Sequence, residues 1–106
     1  MKGELVVFVT IDSEQAAVSM AETLVNERLA ACVNIVAVKS VYRWQGNVVK
    51  DEEWLLIIKT DEKRYERLES TVKGLHSYTT PEVIALRIEK GSQQYLEWLR
   101  DSLEGK

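Results

Sequence analysis

The chain has 106 residues, 45% apolar and 29% charged, with 14 Lys and Arg against 17 Asp and Glu and a formal charge of −3. That length suits one globular domain over residues 1–106, burying roughly 65% of the surface its unfolded chain exposes, and no basic face stands out to bind nucleic acid. A single cysteine, Cys32, excludes an intrachain disulfide and paired-cysteine zinc spacing, so a reducing, cytoplasmic setting is expected.

The N-terminal stretch "MKGELVVFVTID" is too short in its apolar part to span a membrane and shows no small-residue cleavage pattern. Its core, "ELVVFVTI", is β-branched and reads as a strand. A helix follows through "SEQAAVSMAETLVNERLA", with Asp12 as expected cap, Gln15 three residues on, and Ala17, Met20, Ala21, Leu24 and Leu29 at helical spacing. "CVNIVAVKSVYRW", a "QGN" turn and "EEWLLIIK" then read as a long β-hairpin. Thr60 or Asp61 caps a second helix whose inner face carries Tyr65, Leu68, Val72 and Leu75. After "HSYTTPE", which holds the only histidine and the only proline, comes the strand "VIALRI". Gly91 and a capping Ser92 lead into a last helix with Tyr95, Leu99 and Leu103 on one face.

The order β-α-β-β-α-β-α predicts an α+β, ferredoxin-like split βαβ fold with an added C-terminal helix, its helices across one face of an antiparallel sheet. The runs "LVVFV" and "WLLII" are apolar at every position, which predicts burial on both sheet faces. The last helix is too short to cover four strands, so other subunits are expected over the second face, in closed symmetry. The hairpin, with Tyr42, Trp44 and Trp54, is the expected arm for that exchange.

Three blocks in order, "ERLAACVNI", "SVYRWQGNVVKDEEWLLIIKT" and "LHSYTTPEVIALRIEKGSQQYLEWL", resemble the CutA family of divalent-cation tolerance proteins, from Val6 to Leu99. The resemblance implies a ferredoxin-like subunit in a tight homotrimer built through interlocking long strands, similar in architecture to the trimeric PII signalling proteins. It also implies tolerance to copper and other divalent metals, and binding of Cu(II) or a similar ion.

His76, Tyr78, Thr80, Pro81 and Glu82 match the family's His-X-Tyr-X-Thr-Pro-Glu segment, and Cys32 its Ala-Cys block. The candidate metal ligands are therefore His76, with Cys32 and Glu82 as supports. Some bacterial members carry a further cysteine where this chain has Val9 and a further histidine where it has Leu75, so one subunit supplies a single imidazole and weak binding is expected. Each candidate has a structural reading beside the functional one. His76 sits where an imidazole caps a helix end, Cys32 packs as a small apolar side chain, Pro81 starts a strand, and Glu82 pairs with Lys59 or Arg87.

No phosphate loop, nucleophile elbow or HExxH pair occurs, and no organic cofactor is indicated, so a binding protein rather than an enzyme is expected. The functional expectation is a trimeric divalent-cation tolerance protein. The alternative is a PII-like sensor of a small molecule in intersubunit clefts lined by Lys59, Tyr78, Tyr42 and Trp44.

Overall fold

The computed structural model describes residues 3–106. Met1 and Lys2, part of the N-terminal run weighed above, lie outside the described residues. The elements are β1 (Glu4–Ile11), α1 (Glu14–Asn26), β2 (Cys32–Trp44), β3 (Asn47–Asp61), α2 (Glu62–Leu75), β4 (Val83–Arg87) and α3 (Gln93–Glu104). The strands form one antiparallel sheet in the order β2-β3-β1-β4, which is the expected α+β, ferredoxin-like arrangement.

Local chemistry sets the boundaries. The cap of α1 is Ser13 rather than Asp12: Ser13 is extended at φ −144° and its hydroxyl accepts the Ala16 N–H at 3.1 Å. The helix stops at Asn26, short of Leu29, because Arg28 turns into the left-handed region at φ 57°. Leu29 still reaches the core, from the loop, held by its N–H to the Leu24 carbonyl at 2.9 Å. Asp61 caps α2 and also pairs with Arg64 at 2.7 Å, and Ser92 caps α3. Between β2 and β3, Gln45 and Gly46 both take positive φ, 51° and 84°, the two-residue turn whose twist matches a right-handed hairpin.

The register fixes which face meets the helices. Leu5, Val7, Val9 and Ile11 alternate onto one face beside Leu56 and Ile58, and all are buried under Ala17, Met20, Leu24, Leu68 and Val72. Thr60 shares this face fully buried, its hydroxyl donating to the Leu29 carbonyl at 2.7 Å. Two expected inner positions lie outside. Leu75 ends α2 at 51% exposure, where the chain leaves the sheet, and Tyr95 is 41% exposed at the start of α3.

The second face carries Val6, Phe8, Leu55 and Ile57 at its centre, flanked by Val36, Ile84 and Leu86, which are 45%, 50% and 53% exposed. α3 closes only one end of it. There the Glu4 carboxylate, which shares this face with Val6 and Phe8, bonds Arg100 at 3.0 Å. Arg28 donates to the Ser102 carbonyl at 2.7 Å and Arg64 to that of Leu103 at 3.0 Å, so side chains from outside α3 also bind its last turn. At the other end β2 and β3 continue beyond the Ile11–Trp54 pair, where β1 stops, carrying the hairpin on by roughly 23 Å. The subunit is accordingly elongated, 46 × 25 × 22 Å.

Candidate functional site: an acidic cleft at the root of the hairpin

The connection from α2 to β4 folds back beside the end of β1, and His76 holds it there. Its Nε2 lies 2.7 Å from the Thr10 carbonyl oxygen, and its Nδ1 lies 3.1 Å from the Tyr78 backbone nitrogen. A carbonyl accepts and a peptide N–H donates, so the ring that serves both is the neutral tautomer protonated on Nε2. The two hydrogen bonds occupy both ring nitrogens. Tyr78 packs against the imidazole with ring centroids 4.7 Å apart, and its hydroxyl donates to Glu53 Oε2 at 2.7 Å. Glu53 is 6% exposed, and among the described residues its carboxylate meets this phenol but no lysine or arginine.

Above this pair opens a cleft of about 920 Å³ between the hairpin stem and residues 77–82. Five carboxylates line it, Asp12, Asp51, Glu52, Glu53 and Glu82, with Tyr42, Trp44 and Tyr78 among its walls and no lysine or arginine in the lining. Its polar groups are tied into the walls: the Tyr42 hydroxyl donates to Asp51, Thr10 to Glu82 at 3.4 Å, and Ser77 to Asp12 at 3.5 Å. Such a concentration of one charge sign in a concave site raises the local concentration of cations.

The same carboxylates act on the phenols. Burial and the bond to Glu53 push the Tyr78 hydroxyl far above the ordinary value of 10.0, and the bond to Asp51 raises Tyr42. Tyr65 and Tyr95 are also raised, by burial, which accounts for all four tyrosines. A folded-state pKa above the unfolded one contributes stability that is complete below pH 10 and is lost as pH climbs above it. In an ultraviolet titration of phenolate absorbance on the folded protein, ionisation is expected only above the ordinary tyrosine value. Tyr78→Phe is expected to remove the most alkaline part of the curve, and an unchanged curve would contradict the Tyr78–Glu53 bond.

Of the residues singled out in the sequence, His76, Glu82, Tyr78, Tyr42 and Trp44 gather at this end of the sheet. Cys32 and Lys59 do not. They face each other across β2 and β3, and Lys59 pairs onward with Val6, about 13 Å along β1 from Thr10. There the Lys59 ammonium donates to Asn34 Oδ1, which the Cys32 sulfur also approaches at 4.0 Å. Cys32 is thus not a fellow ligand of His76 within one subunit, and Lys59 is not a wall of this cleft. Glu82 meets neither expected cation: its partner is Thr10, while Arg87 pairs with Glu62 at 2.5 Å. Among the described residues no three His, Cys, Asp or Glu side chains converge to hold a metal ion. As site residues, sequence reading passed over four of the five carboxylates, Asp12, Asp51, Glu52 and Glu53. The signal for Glu53 was present, since it shares alternation with Leu55 and Ile57 and so places a carboxylate on an apolar face.

A profile of the CutA1 divalent ion tolerance protein family matches residues 5–102. The chain belongs to this family. The divalent-cation tolerance protein CutA of Thermus thermophilus is 52% identical over 100 residues, covering 93% of this chain and 97% of that one. Its solved structure superposes with a TM-score of 0.91, and that of CutA1 from Oryza sativa, 48% identical over 94% of this chain and 93% of the other, with 0.92. The chloroplastic CutA protein of Arabidopsis thaliana is 50% identical over 99 residues, of which this chain spans about half the length, 54%. The family expected from the three sequence blocks is therefore the family found, with the fold that membership implied.

Proposed function

We propose that this CutA chain is a homotrimeric cation-binding protein. In this reading the acidic cleft of each subunit draws in divalent cations, Cu(II) or ions of similar charge, and holds them weakly through carboxylate oxygens. The observation that carries it is the lining itself: five carboxylates, no lysine or arginine, in about 920 Å³. Cu(II) tolerates carboxylate ligands although it favours imidazole. His76 acts here as a positioning residue, since a metal at either ring nitrogen displaces Thr10 or Tyr78. Ligation falls to Asp12 and Glu82 at the outer rim, whose hydrogen-bond partners among the described residues are the neutral hydroxyls of Ser77 and Thr10.

Assembly is supported by the second sheet face, because a monomer rarely leaves so many contiguous apolar side chains as Val36, Ile84 and Leu86 half open. A cytoplasmic setting accords with Cys32 as a free thiol, and among the described residues no helix is long and apolar enough to cross a membrane. The role is binding rather than catalysis: the one imidazole is committed to holding the cleft wall. A second reading, a sensor of a small organic molecule, is favoured by Tyr42 and Trp44, which present 40% and 58% of their surface beside the carboxylates.

Isothermal titration of Cu(II) into the metal-free protein tests the proposal. Asp12→Asn with Glu82→Gln is expected to weaken binding several-fold, and His76→Asn to leave most of it. Loss of binding in the His76 variant alone would make the imidazole the ligand. Absence of binding in the wild type would overturn the metal reading and leave the small-molecule one to be screened.

A further inference from the structure

The cleft at the hairpin root is far larger than a metal ion requires, and its charges are spread rather than gathered. Its volume, about 920 Å³, lies in the range of sites that enclose small organic molecules. Among the described residues no three metal-ligating side chains converge on one point. The carboxylates stand instead along two walls, Asp51 and Glu53 on the hairpin stem, Asp12 and Glu82 beside the end of β1 and residues 77–82, with Glu52 also in the lining. On β3, Asp51 and Glu53 alternate onto one face two residues apart, which separates them by about 7 Å along the strand. An extended four-carbon diamine holds its ammonium groups about 6 Å apart, at carbon–carbon bonds of about 1.5 Å.

Glu53 is the residue of this wall that calls for a positive ligand. It is 6% exposed and lies on an apolar face, opposite Val38 and two residues from Leu55. Its Oε2 accepts the Tyr78 hydroxyl, while among the described residues its Oε1 has no hydrogen-bond partner and its charge no cation, although the side chain borders the cleft. A buried carboxylate without a counter-charge is destabilising, and a ligand that brings an ammonium group to Oε1 removes that penalty. Tyr42 and Trp44, both exposed, share the ribbon face with Asp51 and Glu53, so aromatic surface lies where methylene groups and ammonium charges would pass.

We infer that the cleft binds a linear aliphatic polyamine, a reading that rests on the proposed cation site and names an organic class of occupant for it. One ammonium group lies at Glu53 Oε1 and the next at Asp51, with the connecting methylenes against Tyr42 and Trp44. The further ammonium groups of a longer polyamine reach Asp12 and Glu82 across the cleft. A metal ion, a single point charge, matches one of these positions at a time, and a quaternary ammonium has no N–H to give Oε1.

Isothermal titration of spermidine and, separately, of Cu(II) into the metal-free protein decides it at about 0.1 M salt, where the Debye length is about 10 Å and attraction between distant surface charges is screened. Spermidine is expected to bind, the four-carbon diamine putrescine several-fold more weakly, and the monoamine butylamine more weakly still. Glu53→Gln and Asp51→Asn keep an acceptor for the Tyr78 and Tyr42 hydroxyls and remove only the charge. Glu53→Gln is expected to weaken spermidine binding about tenfold or more, and Asp51→Asn and Trp44→Leu several-fold. Glu22→Gln, an equal charge change on the exposed side of α1, is expected to leave it unchanged. Far-UV circular dichroism and thermal unfolding establish that each variant is folded, and Glu53→Gln is expected to melt no lower than the wild type, because an unmatched buried charge has gone. Spermidine binding that weakens in the ribbon variants supports the polyamine whether or not Cu(II) binds. Cu(II) binding without spermidine binding would overturn the polyamine and leave the cation site standing, and absence of both would overturn both. Spermidine binding that all three ribbon variants leave intact would place the polyamine elsewhere on the acidic surface and overturn its assignment to the cleft.

Discussion

Arg100→Ala is expected to destabilise the protein by about 3 kcal/mol, near the lower end for breaking a buried ion pair. The reason lies in the asymmetry of the pair: the Glu4 side chain is 3% exposed and that of Arg100 is 32% exposed. Truncating the arginine leaves a carboxylate inside the sheet end with no cation, and the residual access of water where Arg100 stood keeps the loss from being larger. The same change unhooks α3 from β1, although Arg28 and Arg64 still hold the Ser102 and Leu103 carbonyls. Urea unfolding at fixed protein concentration measures it, because an assembling protein has concentration-dependent stability. Glu4→Leu combined with Arg100→Met is expected to recover most of the loss, since both charges leave together. Equal destabilisation by the single and the double replacement would mean that packing of the long side chains, and not the charge, holds α3 in place.

The strand and helix order was legible because it depends on local pattern. Alternation, caps and the Gln45–Gly46 turn are written in neighbouring residues, and the ferredoxin-like topology follows from their sequence. Even the uncovered second face was legible, since "LVVFV" and "WLLII" offer no polar side to water. What failed depends on where elements end against one another. Leu75 keeps helical spacing, yet α2 runs past the sheet before reaching it, and Tyr95 precedes the stretch of α3 that meets β1 and β3. Cys32 and Lys59 failed for a related reason. Register, which no single strand encodes, pairs them with each other at the far end of the sheet from His76. The acidic cleft is likewise assembled from three separate segments, around residues 10–12, 40–53 and 77–82, and appears only when a histidine ties the third to the first.

That tie gives the second large effect. His76→Ala is expected to destabilise by about 2 kcal/mol, the sum of two ordinary hydrogen bonds at about 1 kcal/mol each. The two bonds can be separated by chemistry. An asparagine at position 76 places its Oδ1 where Nδ1 stands and accepts the N–H two residues on, as asparagine does in turns, but it is too short to reach the Thr10 carbonyl. His76→Asn is therefore expected to cost about 1 kcal/mol, half the alanine effect. Because the Tyr78 backbone is positioned by the same ring, both variants are expected to lower the ionisation range of the Tyr78 phenol toward 10.0 as its grip on Glu53 loosens, alanine more than asparagine. Hydrogen exchange at the Tyr78 amide reads the difference directly: protection retained in the asparagine variant and lost in the alanine one assigns His76 to positioning the cleft wall. Equal loss of protection in both variants would mean that the Thr10 contact alone carries the connection.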